Sequence, residues 1–164
     1  MIRIVFNPEP LIAKLGEASR RLGDLKPLHE EIGDFMVEKT QQRFVTSTAP
    51  NGTKWRPKSP ATIARYKARG DGSRPKPLIG PSGRLGKEIT RSATPDQVEI
   101  GSALEYSAVM QGGAARGAFG TDARGRPLPW GDIPARVFLG ISDSDERGIL
   151  DIVDEYLVEA IGKE

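Results

Sequence analysis

Near the end of the chain, Ile149, Ile152, Val153, Tyr156, Leu157, Ala160 and Ile161 fall at helical spacing and make one continuous apolar stripe. Asp151, Asp154, Glu155 and Glu159 cover the other side. Asp143 or Ser144 can cap this helix, and Asp145 and Glu146 in its first turn suit the positive end of the helix dipole. Any fold of this chain must therefore give a long C-terminal amphipathic helix something to lie against.

The remaining pattern supplies that partner. Ile2, Ile4 and Phe6 alternate as a short strand, and Pro8 and Pro10 open a helix carrying Leu11, Leu15, Ala18 and Leu22 that stops at Gly23. A second helix starts near Lys26 or Pro27 and runs to Phe44 or Val45. Leu28, Ile32, Phe35, Met36 and Lys39 trace one face, and Glu30, Glu31, Asp34 and Glu38 the opposite one. Ser59 caps a short helix with Pro60 at its first position, over Ala61 to Arg69. Runs at Lys87–Ala93 and Gln97–Gly101 flank the turn Thr94-Pro95-Asp96 and predict an antiparallel hairpin. Tyr106 to Gln111 is a short helix stopped by Gly112-Gly113. In the apolar run from Ile133 to Gly140, Phe138 and Leu139 suit a core strand, which leaves Arg136 for an interface.

The fold class is therefore α+β: a small antiparallel sheet packed with N-terminal helices and the long C-terminal helix. The 164 residues suit one domain, 1–164. Gly (19) and Pro (13) together make about a fifth of the chain, which implies long loops. Loops expected to be mobile lie near 46–60, 70–77 and 113–131. There is no cysteine, so disulfide and thiolate chemistry are excluded. No window has the roughly 20 apolar residues of a membrane span, and the N-terminus lacks a signal-peptide pattern, so a soluble, unexported protein with no membrane partner is expected.

The net charge of +2 conceals a strong asymmetry. Residues 41–91 carry twelve Lys/Arg against Asp71 and Glu88, a local balance of +10. Residues 143–164 carry eight acids against Arg147 and Lys163, a balance of −6. Such separation suits a polyanion facing the middle segment, or head-to-tail contact between copies. Lys54, Trp55, Arg56, Arg65, Lys67, Arg69, Arg74, Lys76, Arg84 and Arg136 are the interface or DNA-facing candidates. Lys54 to Lys76 interleave with Trp55 and Tyr66, the combination with which proteins grip nucleic-acid backbones. No base-reading motif accompanies them.

Bond-making chemistry finds few residues to work with. His29 is the only histidine, sits among acids on a helix, and in such a place is far more often a surface or packing residue than a base. One His and no Cys make a zinc site of the usual kind improbable and leave a serine nucleophile without its base. The pairs Glu30/Asp34 and Asp151/Glu155 read as solvated helix faces rather than a Mg²⁺ cluster. The run Gly80 to Glu88 echoes a phosphate loop but has Glu88 at the hydroxyl position. No catalytic residue, metal, cofactor or small-molecule substrate is expected.

Four segments, taken in order, resemble the phage virion-morphogenesis proteins, the tail-completion family of Mu-like and P2-like phages. Gly52-Thr53-Lys54-Trp55-Arg56-Pro57-Lys58-Ser59-Pro60-Ala61-Thr62 is similar to the first family motif, with Lys58 where an apolar residue is common. Leu78-Ile79 with Gly83-Arg84-Leu85 is similar to the second. The third stretch is resembled by Val98-Glu99-Ile100-Gly101 and Tyr106 to Gly113, including Gln111. Ile133-Pro134-Ala135-Arg136-Val137-Phe138-Leu139-Gly140 is similar to the closing motif before a terminal helix. The resemblance spans roughly residues 28–160. It implies a structural, non-enzymatic role without cofactor: completing the tail and supporting head–tail joining. It also implies a place in the virion tail or neck after assembly in the host cytoplasm. Other tail or head-neck proteins would be the partners, with a homo-oligomer, a ring by analogy, and non-specific contact with packaged DNA. The rival readings are a DNA-binding module built on basic residues 54–91 and a metal-dependent nuclease.

Overall fold

The computed structural model describes residues 16–161 apart from Arg21. The expected strand Ile2–Phe6 and the start of the first helix lie outside the described residues. Residues 16–20 and 22–23 are helical, ending at Gly23 as expected.

Helix α1 (Lys26–Thr46) forms the spine of the fold. Pro27 occupies its first turn, where a missing N–H costs nothing, and Ser47 ends it in a left-handed conformation, with φ of 56°. A tight turn follows. The Ala49 amide donates to Thr53 O and the Trp55 amide to Ser47 O, both at about one normal bond length, which swings the Trp55 indole back onto Phe44. Their rings meet edge to face, with centroids 5.3 Å apart. The loop expected near 46–60 thus carries a core anchor.

Helix α2 (Pro60–Ala68) has the predicted cap: the Thr62 amide donates to the Ser59 hydroxyl at 3.2 Å. A four-residue turn of helix, α3 (Arg84–Lys87), precedes strand β1 (Thr90–Ala93). The expected strand from Lys87 is therefore shorter. Ile89 is still buried, though it lies just outside the strand. Strand β2 (Val98–Gly101) pairs antiparallel with β1, Thr90 opposite Gly101 and Ala93 opposite Val98. Thr94 shapes the turn, its hydroxyl accepting from the amides of Asp96 and Gln97.

Two strands alone are marginal in water, so the hairpin leans on α1. Gly33 permits the approach, since a Cβ there would run into the Arg91 side chain and Val98. Arg91 then forks onto the Asp34 carboxylate at 2.6 and 2.9 Å, and His29 Nδ1 meets Thr94 O at 2.7 Å. The acidic face of α1, expected to be wholly solvated, is thus partly engaged by the hairpin. Helix α4 (Ser107–Gly112) ends at Gly113 as predicted.

Helix α5 (Asp143–Ile161) packs along α1, and Gly148 meets the Phe35 ring where a Cβ would clash. Successive helical residues are about 100° apart, so Gly33 and Phe35 point to nearly opposite sides. Helix α1 is therefore flanked by the hairpin and α5. The cap of α5 is one residue earlier than expected. The Asp145 amide donates to the Ser142 hydroxyl at 3.2 Å, and the Ser142 amide to the Asp145 carboxylate at 2.8 Å, a reciprocal capping box.

The core unites Phe44, Trp55, Leu85, Ile89 and Phe138. The architecture is α+β, with the two-stranded antiparallel sheet and the C-terminal helix that were expected. Residues 113–131, expected as a loop, leave and return as a hydrogen-bonded excursion. Ala114 and Ile133 exchange two backbone bonds at its neck. Further out, Gly117 donates to Pro129 O, Phe119 to Leu128 O and Asp122 to Arg126 O.

Candidate assembly surface

Phe138 is wholly enclosed, yet the run around it is not a strand, which corrects the expectation of a core strand there. The run does not join the hairpin, so its backbone groups find side chains instead. Trp55 Nε1 donates to Val137 O at 2.8 Å. Arg43 donates to Phe138 O and to Gly140 O, both at 2.8 Å. Gln111 faces the run with its whole amide: its oxygen accepts from the amides of Phe138 and Leu139, at 2.9 and 3.1 Å, and its nitrogen donates to Leu139 O at 2.9 Å. Arg136 closes the arrangement in the other direction. Its amide donates to Met110 O at 2.9 Å, and its guanidinium to Arg56 O and Pro57 O at 2.8 and 3.1 Å.

The clamp has an electrostatic anchor. The buried guanidinium of Arg43 also donates to the Asp145 carboxylate, at 2.5 Å. Burial works against charge on Asp145. The Ser142 hydroxyl and amide and then Arg43 outweigh it and hold the carboxyl below the ordinary aspartate value. Two helices and the Phe138 run thus meet at one ion pair.

Above the clamp lies an open groove of about 790 Å³. Its walls come from four separate stretches. Arg56 to Pro60 form one side, Leu78 and Gly80 to Ser82 with Arg84 and Leu85 the next, Tyr106 and Met110 the third, and Asp132 to Pro134 with Arg136 the fourth. Lys58 braces the wall by donating to Arg74 O and Ile79 O, and stands over the Tyr66 ring. Desolvation there, with the Arg136 and Arg74 charges, holds its ammonium below the usual lysine value. The groove lining is basic, with Arg56, Lys58, Arg84 and Arg136 against Asp132.

A model of the phage virion morphogenesis family matches residues 7–158. The chain belongs to that family. No curated protein and no solved structure matches it significantly. In this virion-morphogenesis chain, each of the four motif segments that carried the resemblance lends residues to the groove lining.

The site residues expected from the sequence divide into two groups. Trp55 and Arg136, expected at an interface or facing DNA, are inside the chain, because their ring N–H and guanidinium satisfy the backbone beneath the groove. Leu85, Gln111, Phe138 and Leu139 also serve the core and its clamp. Gly113 and Gly140 let backbone and Pro50 approach closely, while Gly52 and Gly83 hold turns in the left-handed region, with φ of 79° and 64°. Gly101 ends β2, and Ser59 and Pro60 start α2. Pro57, Tyr106 and Pro134 line the groove, with Ala135 exposed beside them.

Lys54, Arg56, Arg65, Lys67, Arg69, Arg74 and Lys76 are exposed and have no carboxylate partner among the described residues. Arg84 is exposed but ion-paired with Glu88 at 2.6 Å. Arg43 and Arg91, counted in the basic segment, are likewise neutralised by Asp145 and Asp34. The basic surface is therefore narrower than the local balance suggested.

Sequence reasoning missed Trp130 and Arg126. Trp130 is 52% exposed at the base of the excursion, with the guanidinium of Arg65 at 5.2 Å and that of Arg126 at 4.7 Å from its ring centroid. It ties α2 to the excursion. An exposed tryptophan between Gly131 and a proline was the available signal. Among the described residues, no three His, Asp or Glu side chains gather as a metal site, and no helix is long and apolar enough to cross a membrane.

Proposed function

We propose that this virion-morphogenesis protein is a non-catalytic structural subunit that completes the phage tail and supports its joining to the DNA-filled head. The reading is supported above all by the convergence of the four motif segments on one open, basic groove over a rigid clamp. Such a groove offers an assembly partner a preformed surface, and rigid surfaces lose little freedom on docking. The partners are other tail or head-neck proteins and further copies of the chain, arranged as a ring. The place of action is the tail or neck of the virion, after assembly in the host cytoplasm. The chain needs no cofactor and turns over no small-molecule substrate.

Electron microscopy of particles made without this protein tests the role. Filled heads and tails that fail to join are expected. Joined, infectious particles at normal titre would overturn the reading, as would a turnover abolished by one point substitution in a folded variant.

A second reading rests on the Arg65–Trp130–Arg126 stack and the unpaired cations of α2, which suit non-specific contact with a DNA backbone. Duplex binding that weakens steeply with salt, and weakens further in Arg65→Glu, would support it. Binding equal in both proteins would remove it.

A further inference from the structure

We infer that the outer face of α5 in one copy docks, head to tail, into the basic groove of the next copy. The inference rests on the assembly role proposed above and names the surfaces that carry it.

Helix α5 has two apolar faces rather than one. Ile149, Ile152, Tyr156 and Ala160 turn toward α1 and are buried or half-buried. Leu150, Leu157 and Ile161 follow at i, i+7 and i+11, and so share a second stripe about a third of a turn away. That stripe is left in water: Leu150 is 55% exposed and Ile161 65%. Scattered exposed leucines need no explanation, but three large apolar residues aligned on one side of a helix already packed on its other face do. Asp151 and Asp154 flank it on the exposed side.

The groove has the opposite character. Its lining offers Tyr66, Leu78, Tyr106 and Ile133, and Arg56 stands exposed among them without a carboxylate partner among the described residues. None of the groove's lining comes from α5, so the chain's own helix does not fill it. An acid-edged apolar helix and a base-edged apolar groove fit as a helix-in-groove pair. The two surfaces differ, so a docked copy still presents a free groove or a free helix, and further copies can add.

The test uses the purified full chain. Its mass in solution is followed by sedimentation over a range of concentrations and salt, alongside two folded variants, Asp151→Lys/Asp154→Lys on the helix and Arg56→Glu on the groove. The wild type is expected to self-associate, less so as salt rises. Each variant alone should associate about tenfold more weakly or worse, because like charges meet across the contact. Their equimolar mixture should recover association, since each reversed surface then meets its opposite. A wild type monomeric throughout, or a mixture no better than its parts, overturns the docking. Leu150→Ser gives an independent reading. It should weaken association with Tm unchanged, and a lowered Tm with unchanged association would assign the stripe to the chain's own fold and overturn the inference. A monomeric wild type together with unjoined heads and tails in its absence would sink the docking alone. Self-association together with normal joined particles would sink the assembly role alone.

Discussion

Arg43 and Asp145, 102 positions apart, meet as a buried ion pair, and the same guanidinium carries the carbonyls of Phe138 and Gly140. The pair joins the last turn of α1 to the first turn of α5. It fixes where the C-terminal helix departs, and hence where its exposed stripe points. Shape is imposed here by polar contacts as much as by the apolar core.

Breaking that pair from one side should be severe. Arg43→Ala leaves the buried Asp145 carboxylate without its counter-ion and two carbonyls without their donor, and a loss of about 3–5 kcal/mol is expected. Urea unfolding followed by circular dichroism measures it. A loss under 1 kcal/mol (a value typical of surface pairs) would show that water replaces the guanidinium.

Acid should weaken the fold through Asp145. Its folded-state pKa lies below the unfolded value, so its contribution is fully present above the ordinary carboxylate range near pH 4. That contribution is lost as pH falls through the folded pKa, because the unfolded chain binds the proton more readily. Unfolding free energies between pH 6 and pH 3 should fall more steeply for the wild type than for Asp145→Asn. Parallel curves would reject the assignment.

Gln111 bonds three backbone groups of the Phe138–Leu139 stretch. Gln111→Ala should therefore cost more than one ordinary hydrogen bond, about 2–4 kcal/mol, since the donors and acceptor it leaves are shielded from water. A drop in Tm accompanied by amide-exchange protection lost at Phe138 and Leu139 is the expected signature. Protection unchanged at both amides would contradict the clamp.

Two glycines with similar backbone angles should behave differently. Gly113 has φ of 76°, and a Cβ there would stand 2.7 Å from both the Ala135 nitrogen and the Ile133 oxygen. Gly125 has φ of 71° and open space around it. Gly125→Ala should cost about 1 kcal/mol, from the left-handed conformation alone. Gly113→Ala should cost distinctly more, because the neck of the excursion must shift. Equal losses in thermal unfolding would show that the close approach relaxes freely.

Trp130 separates surface from core. Its contacts with Arg65 and Arg126 are exposed, and such pairs contribute about 0.5–1 kcal/mol. Trp130→Ala should leave Tm nearly unchanged, whereas Trp55→Ala should unfold the chain. A large Tm loss in Trp130→Ala would move that ring into the core.

The elements governed by local rules were legible in the residues. The Ser59-Pro60 start of α2, the Thr94 turn, the Gly113 stop and the periodic α5 each depend on neighbours within a few positions. What escaped was long-range and aperiodic. The clamp joins Trp55 to Val137 and Arg43 to Asp145 through single side chains, and no spacing encodes that. Arg136 looked like a surface cation because arginine usually is one. Here its guanidinium is taken up by the Arg56 and Pro57 carbonyls, which belong to no helix or strand. Asp143 and Ser144 are both good N-cap residues, and only the reciprocal bonds between Ser142 and Asp145 move the cap to Ser142. Motif order pointed to the family, whereas the role of each motif residue needed the three-dimensional contacts.

The neck of the excursion, closed by Ala114 and Ile133, sits directly between Gln111 on one strand of chain and Arg136 on the other. Beyond it, the Trp130–Arg65 contact lies at the base of the excursion, and Gly125 at the tip has open space around it. Material can be spliced in or trimmed near Gly125 at little expense to folding. That makes the tip a natural handle for grafting an epitope or a fluorophore onto the folded protein.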